Sequence, residues 1–188
     1  MLVTCNIMSY KYGHLAAHAI ESVLGQNRKF DVIRFYDDGV GDCEHLVSLY
    51  PEVEFILRPN NLGIIDNFNH ALLRTETDKV MFLGADNWLE ERTLVELLDE
   101  DADIISFHGI KHMDTGAVYW EVDQAHGSSL YDVQLAKKVG GYEHSGNEHS
   151  EEDSMLFNKM IKAGATLEVI SEPLLNYRWD HRNNYNEH

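Results

Sequence analysis

The chain has 188 residues, enough for one domain with its own core, and its hydrophobic (44%) and charged (25%) fractions are ordinary for a soluble globular protein. The formal net charge of −17 argues against binding to nucleic acid, which needs clustered lysine and arginine. No apolar run in the sequence reaches the roughly 18 residues that a membrane-spanning helix requires, which argues against a transmembrane segment.

Two cysteines, Cys5 and Cys43, are too few for a disulfide framework, and neither belongs to a CxxC pair. We expect both to be reduced thiols with structural roles, as is usual in the cytoplasm. The first residues enter an apolar strand without a basic leader, so we expect no signal peptide and a cytoplasmic protein.

The first half of the chain alternates between strand-like and helix-like segments. Short apolar runs typical of buried strands occupy residues 2–8, 32–36, 53–57 and 80–83. Apolar residues at helical spacing occupy residues 14–24, 43–50, 64–73 and 90–98. This alternation predicts βαβ units and a mostly parallel central sheet flanked by helices.

The second half of the chain contains more strands and fewer helices. Strand-like segments occupy residues 104–110, 117–122, 167–170 and 174–178, and helical patterns occupy residues 130–139 and 152–163. The polar segment 144–150 lies between those helices, and we predict that it is a mobile lid. Because no linker or internal repeat interrupts the chain, we predict one domain over residues 1–188.

Asp86 and Asn87 stand at the carboxyl end of the predicted strand 80–83. Ligands of open α/β sheets bind outside the carboxyl ends of the strands. A carboxylate and an amide oxygen suit a hard divalent cation such as Mg²⁺ or Mn²⁺, which commonly links protein carboxylates to substrate phosphates. In the alternative interpretation, the pair caps a helix that begins near Trp88.

Asp37-Asp38-Gly39 stands at the end of the predicted strand 32–36 in the same way. These carboxylates can accept hydrogen bonds from a nucleotide base or from ribose hydroxyls, or they can form an Asx turn with Gly39 at positive φ. A phosphatase of the haloacid dehalogenase type also places aspartates after a strand. That family needs Asp-x-Asp, however, whereas the two aspartates here are adjacent.

The order of these signals resembles that of the inverting family 2 glycosyltransferases with the GT-A fold. The segments that carry the resemblance follow the family's order over nearly the whole chain: Ser9-Tyr10, Tyr36-Asp37-Asp38-Gly39, Asn60-Asn61-Leu62-Gly63, Leu83-Gly84-Ala85-Asp86-Asn87, Gly140-Gly141-Tyr142 followed by Glu151-Glu152-Asp153, and Tyr177-Arg178-Trp179-Asp180-His181. The resemblance implies an α/β fold with a mostly parallel central sheet and a smaller antiparallel part on the acceptor side.

The resemblance implies that the first half of the chain binds the nucleotide. It assigns contacts with the nucleotide to residues in the loops of this half: Ser9, Tyr10, Asp37, Asp38, Asn61, Gly63 and Asp86. One of the two adjacent aspartates is expected to contact the base. The ring of Tyr10 is expected to stack on the base, with packing in the core as the alternative.

The resemblance places the family's DxD-type metal motif at Asp86, with Asn87 and His181 as further expected ligands of Mn²⁺ or Mg²⁺. The chain departs from the family at Gly84 and Asn87, where an aspartate is frequent. Asp86 is therefore the one firm carboxylate of the motif. For His181, the alternative is a solvated residue in a polar tail.

The resemblance also assigns the catalytic base. Inverting transfer needs a group that takes the proton from the acceptor hydroxyl as this attacks the anomeric carbon, and a carboxylate can do so. Asp153 is the expected base and Glu152 the second candidate. In the alternative interpretation, these acidic residues only stabilise the N-terminus of the predicted helix through its dipole.

The remaining expected contacts lie on the diphosphate and acceptor side. Arg178 is a candidate for bidentate hydrogen bonding to phosphate. Trp88, Trp120 and Tyr142 are candidates for packing against a sugar, with core or surface packing as the alternative. Gly141 is expected to shape the acceptor side, unless it only ends the preceding helix.

As a whole, the resemblance implies metal-assisted transfer of a sugar from a nucleoside-diphosphate sugar, a UDP-sugar by default, to an acceptor hydroxyl. Residues 1–103 are expected to hold nucleotide and metal, and residues 104–188 the acceptor and the base. The expected acceptor is a carbohydrate or a lipid-linked or protein-linked glycan. The chain is short for the family, which leaves open a longer protein or a small oligomer.

Two other functional classes remain as alternatives. The departures at Gly84 and Asn87 motivate a noncatalytic domain that binds nucleotide sugars or acts as a scaffold. A sugar nucleotidyltransferase usually opens with a glycine-rich phosphate loop that contains arginine. The segment after the first strand, Ser9-Tyr10-Lys11-Tyr12-Gly13, does not fit that loop.

Overall fold

The computed structural model describes residues 1–121, 127–143 and 152–179. The strands in these ranges are β1 (Val3–Ser9), β2 (Val32–Asp37), β3 (Glu54–Leu57), β4 (Lys79–Gly84), β5 (Trp88–Leu89), β6 (Ile104–Met113), β7 (Val118–Glu121), β8 (Leu130–Asp132) and β9 (Leu167–Trp179). The helices are α1 (Ala16–Leu24), α2 (Ile64–Arg74), α3 (Thr93–Leu98), α4 (Val133–Lys138) and α5 (Glu152–Lys162).

All of these strands form one sheet in the order β3-β2-β1-β4-β8-β6-β9-β5, with β7 paired to β6. Strands β3, β2, β1 and β4 are parallel, and so are β6 and β9. Strand β8 is antiparallel to both of its neighbours, and the short strands β5 and β7 are antiparallel to β9 and β6. The mostly parallel sheet predicted from the sequence is therefore confirmed.

Strand β4 shows why its apolar run is continuous rather than alternating. Met81 and Leu83 pack in the core cluster on the α1 side of the sheet, whereas Val80 and Phe82 pack in the cluster on the α2 side. All four side chains are at most 1% exposed. A parallel strand that is covered on both faces needs apolar residues at successive positions, and this strand has them.

The segment 130–139, predicted as one helix, divides into strand β8 and helix α4. Tyr131 pairs with Val80 of β4 on one side and with Ile104 of β6 on the other. Helix α4 begins after Asp132, whose carboxylate accepts the capping hydrogen bond. The prediction of one helix is wrong because β8 pairs with strands that are distant in sequence, and local spacing carries no sign of them.

Trp88-Leu89 lies before the predicted helix 90–98, and only the alternative interpretation placed it at the start of a helix. The dipeptide forms β5 by pairing with Asn176 and Leu175 of β9. Helix α3 begins only at Thr93. Pairing with a strand near the end of the chain therefore decides the conformation of this segment.

Other segments differ less from their predictions. The predicted helix 43–50 is a single 3₁₀ turn at Glu44–Leu46, in which Leu46 is the buried residue. The predicted strands 167–170 and 174–178 are one strand, β9, whose register with β6 is irregular near His108. The segment 144–150, predicted as a lid, lies outside the described residues.

The loop after β2 crosses the loop before α2 at Gly39. This glycine has a φ of +83°, and a β-carbon at its position would overlap the backbone of Asn60 and Asn61. Positive φ and the close approach of another segment each favour glycine here. The crossing holds the loop before α2 against the end of β2.

We expect Gly39→Ala to destabilise the protein more than Gly116→Ala, its matched control. Gly116 has a φ of +81°, but a β-carbon there meets nothing within 4 Å. The control should lose about 1–2 kcal/mol, because an L-residue with a β-carbon is strained at positive φ. Gly39→Ala should lose about 1–3 kcal/mol more, the usual cost of overpacking. Urea unfolding followed by circular dichroism measures both losses, and equal losses would show that the crossing loop yields to the methyl group.

Candidate functional site

The carboxyl ends of β2, β1 and β4 lie side by side at one edge of the sheet. Ser9 at the end of β1 is in register with Asp37 at the end of β2, and Met8 is in register with Gly84 at the end of β4. A hydrogen bond from Asp38 N to Ser9 O (3.0 Å) continues the pairing into the loops. The segments that were predicted to bind the nucleotide and the metal therefore lie together at the edge where α/β folds bind ligands.

Asp37 is fully buried and closes its own turn. Its Oδ1 accepts a hydrogen bond from Val40 N (3.2 Å) and its Oδ2 accepts one from Gly41 N (2.9 Å). This is the Asx-type arrangement that the sequence left open, with Gly39 at positive φ. The carboxylate of Asp37 therefore shapes the loop that follows β2.

Asp38 holds the loop before α2. Its carboxylate oxygens accept hydrogen bonds from Leu62 N (3.0 Å) and Gly63 N (3.1 Å). The exposed Asn61 supports the same turn, because its Oδ1 accepts a hydrogen bond from Gly63 N (2.6 Å). Burial raises the pKa of Asp38 above its ordinary value, although the two backbone amides and the Arg58 guanidinium oppose that shift.

Arg58 belongs to this group, although no motif in the sequence pointed to it. Its Nε lies 3.8 Å from Asp38 Oδ1 and donates to Asn67 Oδ1 (2.8 Å), and its Nη2 lies 2.8 Å from His70 Nδ1. Because a guanidinium only donates, the His70 nitrogen accepts. Burial, and then the charge of Arg58, lowers the pKa of His70. The available signal was a basic residue directly after the predicted strand 53–57.

Ser9 and Tyr10 follow one another but lie in different surroundings. The hydroxyl of Ser9 is buried, 3.7 Å from Cys43 Sγ. The side chain of Tyr10 is 42% exposed, with Lys11 Nζ 5.0 Å from the ring centroid. Packing of Tyr10 in the core, the alternative interpretation, is therefore wrong, and the ring is accessible to a ligand.

Asp37, Asp42 and Cys43 form the one group of possible metal ligands among the described residues, with ligand atoms within 4.8 Å of one another. This spacing could hold a cation, but the same atoms already bond within the protein. Asp42 accepts hydrogen bonds from Gly13 N (2.8 Å) and from Cys43 Sγ (3.2 Å). Burial raises the pKa of Cys43 to about 12, so its thiol is protonated in the metal-free protein.

Asp86 lies in the loop after β4. Burial raises its pKa to about 6, although its own backbone amide and the charge of Arg178 oppose the shift. Ionising this carboxylate is therefore costly in the metal-free protein. A cation next to Asp86 would supply the opposite charge that favours the ionised form.

The departure from the family pattern at Gly84 has a spatial reason. A β-carbon at this position would lie 2.7 Å from Asp86 Oδ1 and 2.9 Å from Asn87 Nδ2. The side chains of these two residues therefore occupy the space into which an aspartate at position 84 would extend. Any side chain at position 84 would therefore require the ends of these two side chains to shift.

Asn87 is bound to the end of β9 rather than to a helix. Its Oδ1 accepts a hydrogen bond from Arg178 N (3.0 Å), and Arg178 Nε donates to Asp86 O (3.3 Å). The interpretation of Asp86-Asn87 as a helix cap is wrong, because α3 begins only at Thr93. Arg178 thus lies beside the loop predicted for metal and diphosphate.

Trp88 and Tyr142, two candidates for packing against a sugar, already have aromatic neighbours. The Trp88 ring lies 4.5 Å from the ring of His18 and 4.8 Å from that of His112, measured between centroids. Tyr142 is 3% exposed and packs edge-on against Phe82. Core packing is therefore the arrangement that the structure shows for Tyr142.

Helix α5 begins at Glu152, as the sequence predicted for the segment that carries Asp153. The side chains of these two residues lie outside the described part of the structure, and so do His181 and the side chain of Trp120. The roles assigned to these side chains therefore remain predictions.

A comparison with known protein families shows to which family the chain with this sheet edge belongs. The family described as "Glycosyl transferase family 2" matches residues 5–160. The chain belongs to this family. The match includes the aspartates at the end of β2, Asp86 and the start of α5 in this family 2 chain, whereas β9 and Arg178 lie beyond it.

Solved structures of S. aureus TarS share the fold of this family 2 chain. TarS residues 1–349 align with a TM-score of 0.78 and 16% identity over 95% of this chain and 60% of that chain. Its complexes with UDP and with UDP-GlcNAc also align with a TM-score of 0.78, at 15% and 14% identity. The predicted GT-A fold is confirmed, and the chain spans about 60% of the TarS segment.

No curated protein sequence matches this family 2 chain significantly. Among the helices that the structure describes, none combines the length and the apolar character needed to cross a membrane. Membership of the family therefore depends on the family match, and the fold on the match to TarS.

We expect Asp86→Asn to stabilise the metal-free family 2 chain at alkaline pH. Because the pKa of Asp86 is raised from 3.8 to about 6, its ionisation has no effect on stability below about pH 4. Stability falls as the pH rises from about 4 to about 6 and stays at the lower level above about pH 6. An amide carries no such cost. The variant should gain roughly 1–3 kcal/mol at pH 8 with a chelator present, and nothing at pH 4. Urea unfolding at both pH values measures the difference.

The matched control is Asp101→Asn, which changes an exposed carboxylate and should shift stability little at either pH. A gain of equal size for Asp86→Asn at both pH values would contradict the prediction, because it would come from packing rather than from ionisation.

Proposed function

We propose that this chain is a glycosyltransferase that moves a sugar from a UDP-sugar to an acceptor hydroxyl with inversion, assisted by a divalent cation. The family match over residues 5–160 carries the proposal. The carboxyl edge of the sheet supports it, because it brings the loops of Asp38 and Asp86 together at the place where such folds bind ligands.

UDP is the proposed nucleotide because the similar TarS structures contain UDP or UDP-GlcNAc. The exposed ring of Tyr10 is the proposed stacking surface for the base. Asp37 and Asp38 accept hydrogen bonds from the backbone, but each carboxylate has about four acceptor sites. Because Asp37 is fully buried, Asp38, which is 3% exposed, is the one proposed to accept a hydrogen bond from a base N–H or a ribose hydroxyl.

Ser9, Asn61 and Gly63 complete the proposed nucleotide site through the shape of its loops. The buried hydroxyl of Ser9 contacts Cys43 rather than the surface, while its carbonyl accepts the hydrogen bond from Asp38 N. Asn61 and Gly63 form the turn that the Asp38 carboxylate holds. These residues would thus contribute to binding by fixing the backbone conformation near the nucleotide.

Asp86 is the proposed ligand of Mn²⁺ or Mg²⁺. Mg²⁺ typically binds one or two carboxylates together with water and substrate phosphates, so one carboxylate is sufficient. Asn87 fits less well, because its Oδ1 already accepts a hydrogen bond from Arg178 N. His181 is a further proposed ligand. When bound, such a cation stabilises the charge that develops on a leaving diphosphate.

Asp153 in the first turn of α5 is the proposed general base, with Glu152 as the second candidate. Its carboxylate would take the proton of the acceptor hydroxyl while the hydroxyl oxygen bonds to the anomeric carbon and the bond to UDP breaks on the opposite face. Residues 104–188 would hold the acceptor, a carbohydrate or a lipid-linked or protein-linked glycan. Arg178, beside the Asp86 loop, would contact the diphosphate.

Nucleotide binding is tested by a thermal-stability panel of UDP, dTDP, GDP and CDP, each with Mn²⁺, with Mg²⁺ and with a chelator. We expect UDP with a divalent cation to give the largest shift, because a ligand that binds only the folded state stabilises it. The gain is about 2.7 kcal/mol at a ligand concentration of 100 times Kd.

Asp86→Ala should lose the cation-dependent part of this shift. Asp101→Ala should keep it, because Asp101 is exposed and lies near Lys79, at the opposite end of β4. A UDP shift that survives the chelator would remove the cation from the proposal. The absence of any shift would favour the alternative of a noncatalytic scaffold domain.

The assignment of the base is tested with Asp153→Asn and its neighbour Glu152→Gln. Asp153→Asn should keep the UDP shift and lose transfer by about 100-fold or more, the usual contribution of a general base. Glu152→Gln should lose much less. Release of UDP from UDP-GlcNAc with Mn²⁺, measured over a panel of glycan acceptors, reports both rates. Transfer by Asp153→Asn at the wild-type rate would contradict the assignment.

A further inference from the structure

The turn Gly140-Gly141-Tyr142 is hydrogen-bonded to helix α2 through a single amide side chain. Asn69 Oδ1 accepts a hydrogen bond from Tyr142 N (2.8 Å), and Asn69 Nδ2 donates to Tyr142 O (2.9 Å). One side chain thus bonds to both backbone groups of Tyr142, as a neighbouring strand would. Only a group that donates and accepts at once can make this pair of bonds.

The turn is shaped around the Asn69 amide. Gly140 and Gly141 have φ values of +88° and +64°, and a β-carbon at Gly141 would lie 2.5 Å from Asn69 Oδ1. Positive φ explains glycine at both positions, and the approach of the amide gives a second reason at Gly141.

The same turn is attached to the strand that leads to Asp86. The ring of Tyr142 packs edge-on against Phe68 of α2 and Phe82 of β4, with centroid distances of 5.2 Å and 5.7 Å. Phe82 itself stacks on Phe68 at 5.2 Å. Phe82 lies shortly before the loop of Asp86, so the turn and that loop are fixed to one strand.

Helix α5 reaches the turn from the other side. Lys159 Nζ donates to Gly141 O (2.9 Å) and pairs with Glu143 Oε1 (2.5 Å). Lys159 lies on the helix whose first turn contains Asp153. A continuous set of hydrogen bonds thus runs from Asn69 through the turn to the helix that carries the proposed base.

We propose that Asn69 is a positioning residue, whose amide fixes this turn and thereby sets the place of helix α5 relative to β4. This inference depends on the proposed function, because the place of α5 matters for transfer only if Asp153 acts on the acceptor. Asn69 acts through the turn and through Lys159, and no contact of Asn69 with donor or acceptor is part of the proposal.

The experiment compares wild type with Asn69→Ala, Asn69→Asp and Lys159→Met. Asn69→Asp keeps an acceptor for Tyr142 N but loses the donor to Tyr142 O, and Lys159→Met keeps an apolar stem but loses the ammonium group. Asn158→Ala is the matched control, because Asn158 is an exposed amide on the same helix as Lys159.

Two measurements separate positioning from general stability. Hydrogen–deuterium exchange of peptides covering residues 139–143 and 152–162 reports whether the turn and α5 are held. Release of UDP from UDP-GlcNAc at saturating donor with Mn²⁺, well below the unfolding temperature, reports the rate. The thermal shift with UDP reports whether the donor edge is intact.

We expect Asn69→Ala to exchange faster in both peptides and to release UDP at least about tenfold more slowly, with an unchanged UDP shift. A tenfold loss corresponds to about 1.4 kcal/mol in the barrier. Asn69→Asp and Lys159→Met should fall between Asn69→Ala and wild type, and Asn158→Ala should match wild type.

Unchanged exchange in Asn69→Ala would overturn the proposal, because the turn would then be held without the amide. Faster exchange with a wild-type rate would also overturn it, because the turn would then not position the base. A wild-type chain that releases no UDP despite a normal UDP shift would overturn the proposed function instead, while exchange would still decide whether Asn69 holds the turn.

Discussion

Burial of strand β4 on both faces is the constraint on which the candidate site depends. Its side chains pack alternately into the two core clusters, and β1 and β8 pair with its two edges. A strand enclosed in this way has little freedom to shift, since packed interiors resist displacement. The loop of Asp86 begins at its end, and Tyr142 packs on its Phe82. The loop of Asp86 and the segment before α5 therefore share one rigid support.

The aspartates at the carboxyl edge differ in the hydrogen bonds that they accept from the protein. Asp37 and Asp38 each accept two hydrogen bonds from backbone amides, and in doing so they order the two loops that cross at Gly39. Asp86 is half-buried and has less compensation from hydrogen bonds, and this burial raises its pKa to about 6. When a carboxylate accepts few hydrogen bonds from the protein, a nearby positive charge favours its ionised form. The edge thus combines two aspartates that order its loops with one carboxylate whose ionised form a nearby cation would stabilise.

Local patterns in the sequence predicted those helices and strands whose conformation depends mainly on residues nearby in the sequence. The apolar runs of β1 and β4 and the spacing of α1 and α2 were sufficient to predict the parallel sheet and the edge where Asp38 and Asp86 lie. The error at β8 and the strand β5, for which no element was predicted, share a cause, since both segments pair with strands far away in the sequence. The partner of Asn87 is likewise Arg178. Single-sequence patterns cannot show such partners, and they also gave no motif for Arg58.

The close approach at Gly84 has a consequence for how this loop can change in evolution. An aspartate at position 84 would collide with the side chains of Asp86 and Asn87 as they now lie, although an aspartate there is frequent in the family. Asn87 is in turn held by the backbone of Arg178. A side chain at position 84 therefore requires the ends of the Asp86 and Asn87 side chains to move, and the hydrogen bond from Arg178 N opposes that movement of Asn87. The cost of a substitution at position 84 thus depends on which residue stands at position 87.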